Sequence, residues 1–209
     1  MSSQIRGRLI AFEGVEGAGK STQLELLRQT LEKAGHQVVT TREPGGTPVG
    51  EQVRSILLDR ASTLDPRAEA LLFAAARAQL VEQVIRPALE RGEVVLCDRY
   101  LDSSLAYQGA ARGLGLEPIA AINAFATRGL LPDLVVLLRL DPAEGLVRGR
   151  GSRDRIESQD LEFHQKVAQG FLDLAAADPE RFVIVDASPP PDQVAAEVRA
   201  AVLRRLGSG

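Results

Sequence analysis

Short, mainly apolar runs alternate along the chain with segments that carry apolar residues on one helical face. The runs lie at 8–13, 37–42, 93–98, 132–140 and 181–188, and their length is typical of strands buried in a sheet. The segments between them predict helices, the clearest at 20–34, 49–59, 66–91, 159–176 and 190–206. This alternation predicts a doubly wound α/β fold, with a five-stranded parallel sheet and helices on both faces.

The longest predicted helix, 66–91, has clear end signals. Asp65 is a good N-cap, and Pro66 suits the first helical position because its missing N–H has no intrahelical partner there. Pro87 should bend or interrupt the helix near its end. By contrast, the segment 146–160, LVRGRGSRDRIESQD, is too polar and too rich in glycine for the core.

Composition and charge fit a globular chain. Residues 1–209 are expected to form a single domain, since this length suffices for one substantial core. Apolar residues make up 44% and charged residues 25% of the chain, so it should fold rather than remain disordered. The net charge of −3 argues against a surface built for nucleic acid. Anionic ligands would therefore need local clusters of arginine.

The sequence also indicates a reducing environment. The single cysteine, Cys97, cannot form an internal disulfide and lies in an apolar run, as a small core residue would. The first residues lack the apolar region of a signal peptide, and no run approaches the roughly 18 apolar residues of a membrane span. We therefore expect a cytoplasmic protein without a membrane partner. Its basic residues are 22 arginines and only three lysines, so a well-placed lysine is informative.

The stretch GVEGAGKST at 14–22 matches the phosphate-loop pattern G-x-x-x-x-G-K-[ST] between a predicted strand and a predicted helix. Its backbone N–H groups would face the phosphates of ATP. Lys20 would reach the β and γ phosphates, and Ser21 would ligate Mg²⁺. The predicted ATP-binding residues are Gly14, Val15, Glu16, Gly17, Ala18, Gly19, Lys20, Ser21 and Thr22.

The phosphate loop alone leaves several classes of protein open. Motors, transporter ATPases, GTPases and small-molecule kinases all carry it, within the P-loop NTPase type of α/β fold. A guanine-specific switch protein would normally show an N-K-x-D motif, and the three lysines provide none. The GTPase interpretation is therefore disfavoured.

Further charged residues lie at the ends of predicted strands. Asp98 and Arg99 follow the third strand, and Arg42 follows the second. Ligands in doubly wound sheets bind at the carboxyl ends of strands, so these residues should share the crevice of the phosphate loop. Asp98 would hold Mg²⁺ through water, and Arg99 would bind a second phosphate. Phe73 and Arg77, four residues apart on the long helix, share one face and suit a base and its phosphate.

These residues belong to motifs that resemble the bacterial thymidylate kinases, P-loop nucleoside monophosphate kinases that transfer a phosphoryl group from ATP to dTMP. The resemblance covers nearly the whole chain. Its motifs are FEGVEGAGKST at 12–22, TREPGGT at 41–47, RAQ at 77–79, DRYLDSSLAYQG at 98–109 and RGRGSRDRIE at 148–157. REPGG together with DRY…S…AYQG is far more specific than the phosphate loop.

The resemblance implies a set of residues that bind dTMP: Glu13, Arg42, Phe73, Arg77, Arg99, Ser103, Tyr107 and Gln108. Within this set the three arginines would hold the phosphate and Phe73 would stack on thymine. Gln108 would approach the base, and Tyr107 would crowd a ribose 2′-hydroxyl. Glu13 would bind the sugar 3′-hydroxyl or the Mg²⁺ shell. Family members are homodimers, so we expect a homodimer.

The acceptor phosphate is largely dianionic near neutral pH, so catalysis needs positioning and charge neutralisation rather than a general base. Some members of the family carry an arginine in the phosphate loop, but the variable positions 15–18 of this chain are not basic. We therefore expect a mobile lid at about 143–160 to supply positive charge. Its arginines are Arg148, Arg150, Arg153 and Arg155. The predicted catalytic residues are Lys20, Arg99, Arg153 and Arg155.

Two alternatives stay open from the sequence. Another nucleoside monophosphate kinase, for guanylate or cytidylate, would share the fold and differ in the wall around the base. A non-catalytic P-loop module would bind ATP without transferring its phosphate. The dimer interface, the tolerance for dUMP, the residues around adenine and the role of Glu43 are not evident from the sequence.

Overall fold

A computed structural model describes residues 7–149 and 154–207. Within them, five strands form one sheet: Arg8–Glu13 (β1), Val38–Arg42 (β2), Val94–Asp98 (β3), Leu134–Arg139 (β4) and Phe182–Asp186 (β5). The spatial order is β2-β3-β1-β4-β5, and every neighbouring pair is parallel. The predicted five-stranded parallel sheet is confirmed.

Nine α-helices occur in the described residues: Lys20–Lys33 (α1), Pro48–Leu58 (α2), Pro66–Leu80 (α3), Arg86–Glu90 (α4), Leu101–Ser104 (α5), Leu116–Thr127 (α6), Pro142–Arg148 (α7), Leu161–Ala177 (α8) and Pro191–Gly207 (α9). Two π-helical segments, Val81–Ile85 and Leu105–Ala111, extend α3 and α5. The central strands are buried along most of their length, which requires helices on both faces of the sheet.

The helix predicted at 66–91 is divided near its end. It begins as expected, because the Asp65 side chain accepts a hydrogen bond from the Arg67 backbone N–H and Pro66 is the first helical residue. A π-helical turn then separates α3 from α4, and Pro87 lies at the start of α4, where its missing N–H costs little. The predicted interruption at Pro87 is confirmed.

The predicted lid is partly a helix. We expected 143–160 to be a polar flap, whereas its first part belongs to α7, which Asp141 caps by accepting from the backbone N–H groups of Ala143 and Glu144. The Asp-Pro pair at 141–142 is the same start signal as that at 65–66. Beyond the undescribed residues, Ile156 is 8% exposed and fixes the following turn against the core.

The expectation that Cys97 is a small core residue is confirmed, because it lies fully buried in β3. In the ranges that the structure covers, no helix is both long enough and apolar enough to cross a bilayer.

The register of the sheet brings predicted site residues to one edge. Asp98, the last residue of β3, pairs with Phe12 of β1 on one side and with Arg42 of β2 on the other. Glu43 continues this pairing, since its backbone N–H donates to the Asp98 carbonyl at 2.9 Å. The carboxyl ends of β1, β2 and β3 therefore meet, as strand-end reasoning predicts.

Candidate active site

A crevice of about 420 Å³ opens at these strand ends. The predicted site residues that line it are Glu16, Gly17, Gly19, Lys20, Ser21, Thr22, Arg42, Phe73, Arg77, Asp98, Arg99, Ser103, Tyr107 and Gln108. The remaining described ones lie behind or beside the lining: Glu13, Gly14, Val15, Ala18 and Arg155. The phosphate loop and the residues predicted for the acceptor thus face one space.

The phosphate loop has the predicted strand–loop–helix context, between β1 and α1. Gly19 adopts a left-handed conformation with φ of 85°, which lets the chain turn into α1 at Lys20. The Lys20 ammonium is nearly buried and donates to the carbonyls of Gly14 at 3.1 Å and Val15 at 2.9 Å. Lys20 is therefore held inside the loop, at the mouth of the crevice.

Helix α7 packs directly on the phosphate loop. A Cβ atom at Gly17 would lie 2.2 Å from the Gly145 carbonyl oxygen, and one at Gly145 would lie 2.2 Å from the Glu16 carbonyl oxygen. Only glycines allow the two backbones to approach so closely. The first turn of the predicted lid is thus a rigid neighbour of the loop.

Ser21 and Asp98 form the pair of oxygen groups suited to a cation. The Ser21 hydroxyl donates to the Asp98 carboxylate at 2.7 Å. Among the residues described, no group of three or more His, Cys, Asp or Glu side chains could hold a metal ion. A hydroxyl and one carboxylate suit Mg²⁺, which usually completes its shell with water and substrate phosphates. The residues present therefore fit Mg²⁺ bound together with ATP.

Arg99 is held in place by contacts with the phosphate loop and with Ser103. Its guanidinium donates to the Glu16 carboxylate at 2.5 Å, to the Gly14 carbonyl at 3.1 Å and to Ser103 Oγ at 3.2 Å. It also lies 5.1 Å from the centre of the Tyr107 ring. A phosphate on the acceptor side would meet a cation that is already in place.

Glu16 faces the acceptor residues rather than the ATP side of the loop. Besides Arg99, its carboxylate accepts from the Tyr107 hydroxyl at 3.1 Å. Burial raises the pKa of Glu16, but the charges of Arg99 and Lys20 outweigh it and lower the pKa to about 2. This contact joins distant segments, and the sequence reasoning, which grouped Glu16 with the ATP-binding loop, missed it.

Glu13 supports the site through buried hydrogen bonds to the residues after β3. It is fully buried, and its carboxylate accepts from the backbone N–H groups of Tyr100 at 2.8 Å and Ser103 at 3.1 Å, and from Ser103 Oγ at 2.6 Å. Burial, with the nearby Asp102 carboxylate, raises the pKa of Glu13 to about 7. The predicted contact of Glu13 with the sugar or the Mg²⁺ shell stays a prediction. In the described residues Glu13 holds the turn that follows Arg99.

Arg77 is buried, and all of its N–H groups donate hydrogen bonds to other groups of the protein. Nε donates to both Glu43 oxygens at 3.0 and 2.8 Å, and Nη2 donates to Glu43 at 2.5 Å. The other Nη2 hydrogen reaches the Tyr100 carbonyl at 3.2 Å. Nη1 donates to Ser104 Oγ at 3.0 Å and to Asn123 Oδ1. Since a guanidinium has five N–H groups, none is left for a phosphate.

A contact between Arg77 and the dTMP phosphate would have to replace one of these hydrogen bonds, and it stays a prediction. The structure also assigns a role to Glu43, whose carboxylate neutralises Arg77 and not Arg42. The shared face predicted for Phe73 and Arg77 is confirmed, because both line the crevice.

Arg42, at the end of β2, is more exposed than Arg77 and Arg99. Its side chain is 57% exposed and pairs at 3.1 Å with Glu51, on α2. The same Glu51 carboxylate accepts from the Gly46 backbone N–H at 2.9 Å, which ties the loop to the helix. Exposed ion pairs are weak, so a phosphate in the crevice can displace Glu51 from Arg42.

The far wall of the crevice is aromatic. Phe73 is partly buried against the core. The Tyr107 ring meets Phe163 and Phe171 edge to face, with centroid distances of 6.1 and 6.2 Å. Gln108 is buried and completes the wall. A planar ligand would find both a stacking surface and a rigid edge here.

Two of the four predicted lid arginines, Arg148 and Arg155, lie in the described residues. Arg155 forms an ion pair with Glu69 at 2.7 Å and donates through Nε to the Leu57 carbonyl at 2.9 Å. Arg153 and Arg150 lie outside the described residues. Arg148 lines the crevice and donates to the Ala187 carbonyl at 2.8 Å, at the loop after β5. The catalytic roles of Arg153 and Arg155 stay predictions.

Comparison with known proteins gives consistent results. A sequence model of the thymidylate kinase family matches residues 12–198. A thymidylate kinase of Deinococcus radiodurans is 58% identical over 202 residues, which cover 96% of this chain and 98% of that protein. One of Clavibacter sepedonicus is 56% identical over 199 residues, or 94% of each chain. The crystal structure of a thymidylate kinase from Ehrlichia chaffeensis superimposes with a TM-score of 0.80 at 32% identity, covering 94% of this chain and 98% of that one.

Proposed function

The chain belongs to the thymidylate kinase family, and we propose that its crevice transfers the γ-phosphoryl group of ATP to the phosphate of dTMP, giving dTDP and ADP. One observation carries this proposal: the phosphate loop and the arginines at the ends of β2 and β3 line the same crevice of about 420 Å³. Two phosphate groups bound there would be neighbours, as in-line transfer requires.

The donor half consists of the phosphate loop, Lys20, Ser21 and Asp98. Backbone N–H groups of the loop and the start of α1 would hold the ATP phosphates. Lys20 would leave its two carbonyl partners for the β and γ phosphate oxygens. Mg²⁺, held by Ser21 and Asp98, would supply further charge neutralisation at those oxygens.

The acceptor half consists of Arg42, Arg99 and the aromatic wall. The two arginines would hold the dTMP phosphate, which acts as nucleophile in its dianionic form, so no general base is needed. Phe73 would stack on thymine. Tyr107, held rigidly by its ring contacts and by Glu16, would crowd a ribose 2′-hydroxyl and thereby favour the deoxy sugar.

The reaction is tested by its products. Incubation of the protein with ATP, Mg²⁺ and dTMP should form dTDP and ADP in equal amounts, resolved by anion-exchange chromatography. ATP consumption without dTDP would show hydrolysis in place of transfer and would reject the proposed function.

Replacing Arg42 by alanine should weaken dTMP binding by about 10- to 100-fold, because a charge-assisted contact to phosphate is lost. ATP binding should change little, since Arg42 is not part of the phosphate loop and pairs with Glu51 of α2. Titration calorimetry with each nucleotide measures both affinities. Arg60→Ala, an exposed arginine beyond α2, is the matched control. Equal losses for ATP and dTMP would mean that the loop at 42–47 is structural only.

A homodimer is part of the proposal, and the structure suggests its face. Helix α3 packs against both α2 and α6, and the three helices expose large apolar side chains: Ile56 at 46%, Leu71 at 56% and Phe125 at 89%. A contiguous exposed apolar patch marks an association surface, and we propose that these side chains form one. A cytoplasmic location stays a prediction from the sequence.

Replacing Phe125 by aspartate should raise the dimer dissociation constant by about 100-fold, because an unpaired carboxylate would enter an apolar interface. Sedimentation equilibrium should then show the mass of one chain at concentrations where the unmodified protein has twice that mass. Leu203→Asp, on the exposed side of α9, is the control and should leave the mass unchanged. A dimer that survives Phe125→Asp would place the interface elsewhere.

A further inference from the structure

A buried cluster of polar side chains surrounds Glu69, which has no part in the proposed transfer reaction. Glu69, on α3, is 1% exposed. Its carboxylate accepts from Gln108 Nε2 at 2.9 Å and from Arg112 Nε and Nη2 at 3.3 Å, and it pairs with Arg155 at 2.7 Å. One carboxylate thus joins the wall of the crevice to Arg155, one of the predicted lid arginines.

The contact with Gln108 determines which way its side-chain amide points. An ionised carboxylate can only accept hydrogen bonds, so the Gln108 amide must turn its nitrogen toward Glu69. Its carbonyl oxygen is then the atom left to face the crevice, which Gln108 lines. No residue in the described ranges is seen to donate to that oxygen. Within the described residues, the crevice wall therefore presents this carbonyl oxygen as an acceptor to which no protein group donates.

The carboxylate form of Glu69 is favoured in the folded protein. Burial raises the pKa of Glu69, but the hydrogen bond from Gln108, the charge of Arg112 and the hydrogen bond from Arg155 together lower it below its usual value. The orientation of the Gln108 amide is therefore maintained at neutral pH.

We propose that Glu69 is a positioning residue for base selection: it locks the Gln108 carbonyl toward the crevice, so that the pocket accepts a pyrimidine whose ring nitrogen N3 carries a hydrogen. Thymine has this N3–H, whereas cytosine has an unprotonated N3 that would face the carbonyl oxygen lone pair to lone pair. A buried polar group left unpaired discriminates strongly between such ligands. The inference rests on the proposed function, since it needs dTMP in the acceptor half.

The test compares the dissociation constants of dTMP and dCMP, measured by titration calorimetry on the full chain. Glu69→Gln keeps the shape of the side chain, but a glutamine can either accept or donate, so the Gln108 amide can then take both orientations. We expect the preference for dTMP over dCMP to fall by about tenfold, mainly through weaker dTMP binding. Gln108→Leu, which removes the acceptor, should reduce the same ratio at least as much.

Arg112→Lys is the matched control, because it changes another partner of the same carboxylate but keeps the positive charge that favours its ionised form and leaves the Gln108 contact in place; its ratio should stay unchanged. Equal weakening of both ligands in Glu69→Gln would indicate a merely structural role and overturn the inference. If Gln108→Leu leaves the preference for dTMP over dCMP unchanged, that result by itself overturns the inference, even if Glu69→Gln does not fold. These outcomes are distinct from failure of the proposed function, which would appear as an unmodified protein that forms no dTDP.

Discussion

Replacing Lys20 by methionine is expected to lower kcat by about 10²- to 10³-fold, the usual loss when one preorganised donor to developing charge is removed. The Lys20 ammonium is nearly buried and is held by two carbonyls of the phosphate loop, so it is poised at the place where the γ phosphate would lie. Methionine keeps the length and apolar stem of the side chain. Steady-state rates of dTDP formation at saturating ATP and dTMP measure the effect.

Lys33→Ala provides the control for Lys20, because Lys33 is an exposed lysine at the end of the same helix, α1. Its kcat should equal that of the unmodified protein. If Lys20→Met also keeps full kcat, the phosphate loop does not act in the transfer, and the assignment of the donor half fails.

Replacing Glu43 by glutamine is expected to lower the free energy of unfolding by about 3–5 kcal/mol, because the buried Arg77 would lose its counter-ion. The two side chains are 3% and 1% exposed, so water cannot compensate. For a chain of this size the melting temperature should fall by roughly 6–20 °C. Chemical denaturation followed by circular dichroism gives the free energy directly.

Two further variants isolate the Glu43–Arg77 pair. Adding Arg77→Met to Glu43→Gln should recover part of the lost stability, since the unpaired charge is then removed as well. Glu162→Gln breaks an exposed pair with Lys166 and should cost less than about 1 kcal/mol. Equal small costs for Glu43→Gln and Glu162→Gln would contradict the buried ion pair.

The fold could be predicted from the sequence to a large extent, because its signals are local. The phosphate loop follows β1 within a few residues, and the Asp65-Pro66 signal starts α3 where expected. Helix α7 was overlooked even though Asp141 and Pro142 give the same signal, because the glycines and arginines that follow it dominate the composition of that segment.

The candidate site was predicted less completely, because its contacts join residues far apart in the chain. Helical spacing places Phe73 and Arg77 on one face, but it does not show that Glu43, Ser104 and Asn123 take up the donors of Arg77. An arginine that clamps a phosphate and one that is neutralised by a buried carboxylate look alike in sequence. Only packing across several elements distinguishes them.

The central claim, that dTMP is the acceptor, is tested most directly by kcat/KM for acceptor-dependent ADP release with a panel of monophosphates that includes dTMP, CMP and GMP. We expect the highest value for dTMP. A preference for GMP or CMP would assign the crevice to another nucleoside monophosphate kinase. ATP binding without ADP release for any acceptor would instead indicate a non-catalytic P-loop module. Either result would contradict the proposal that dTMP is the acceptor.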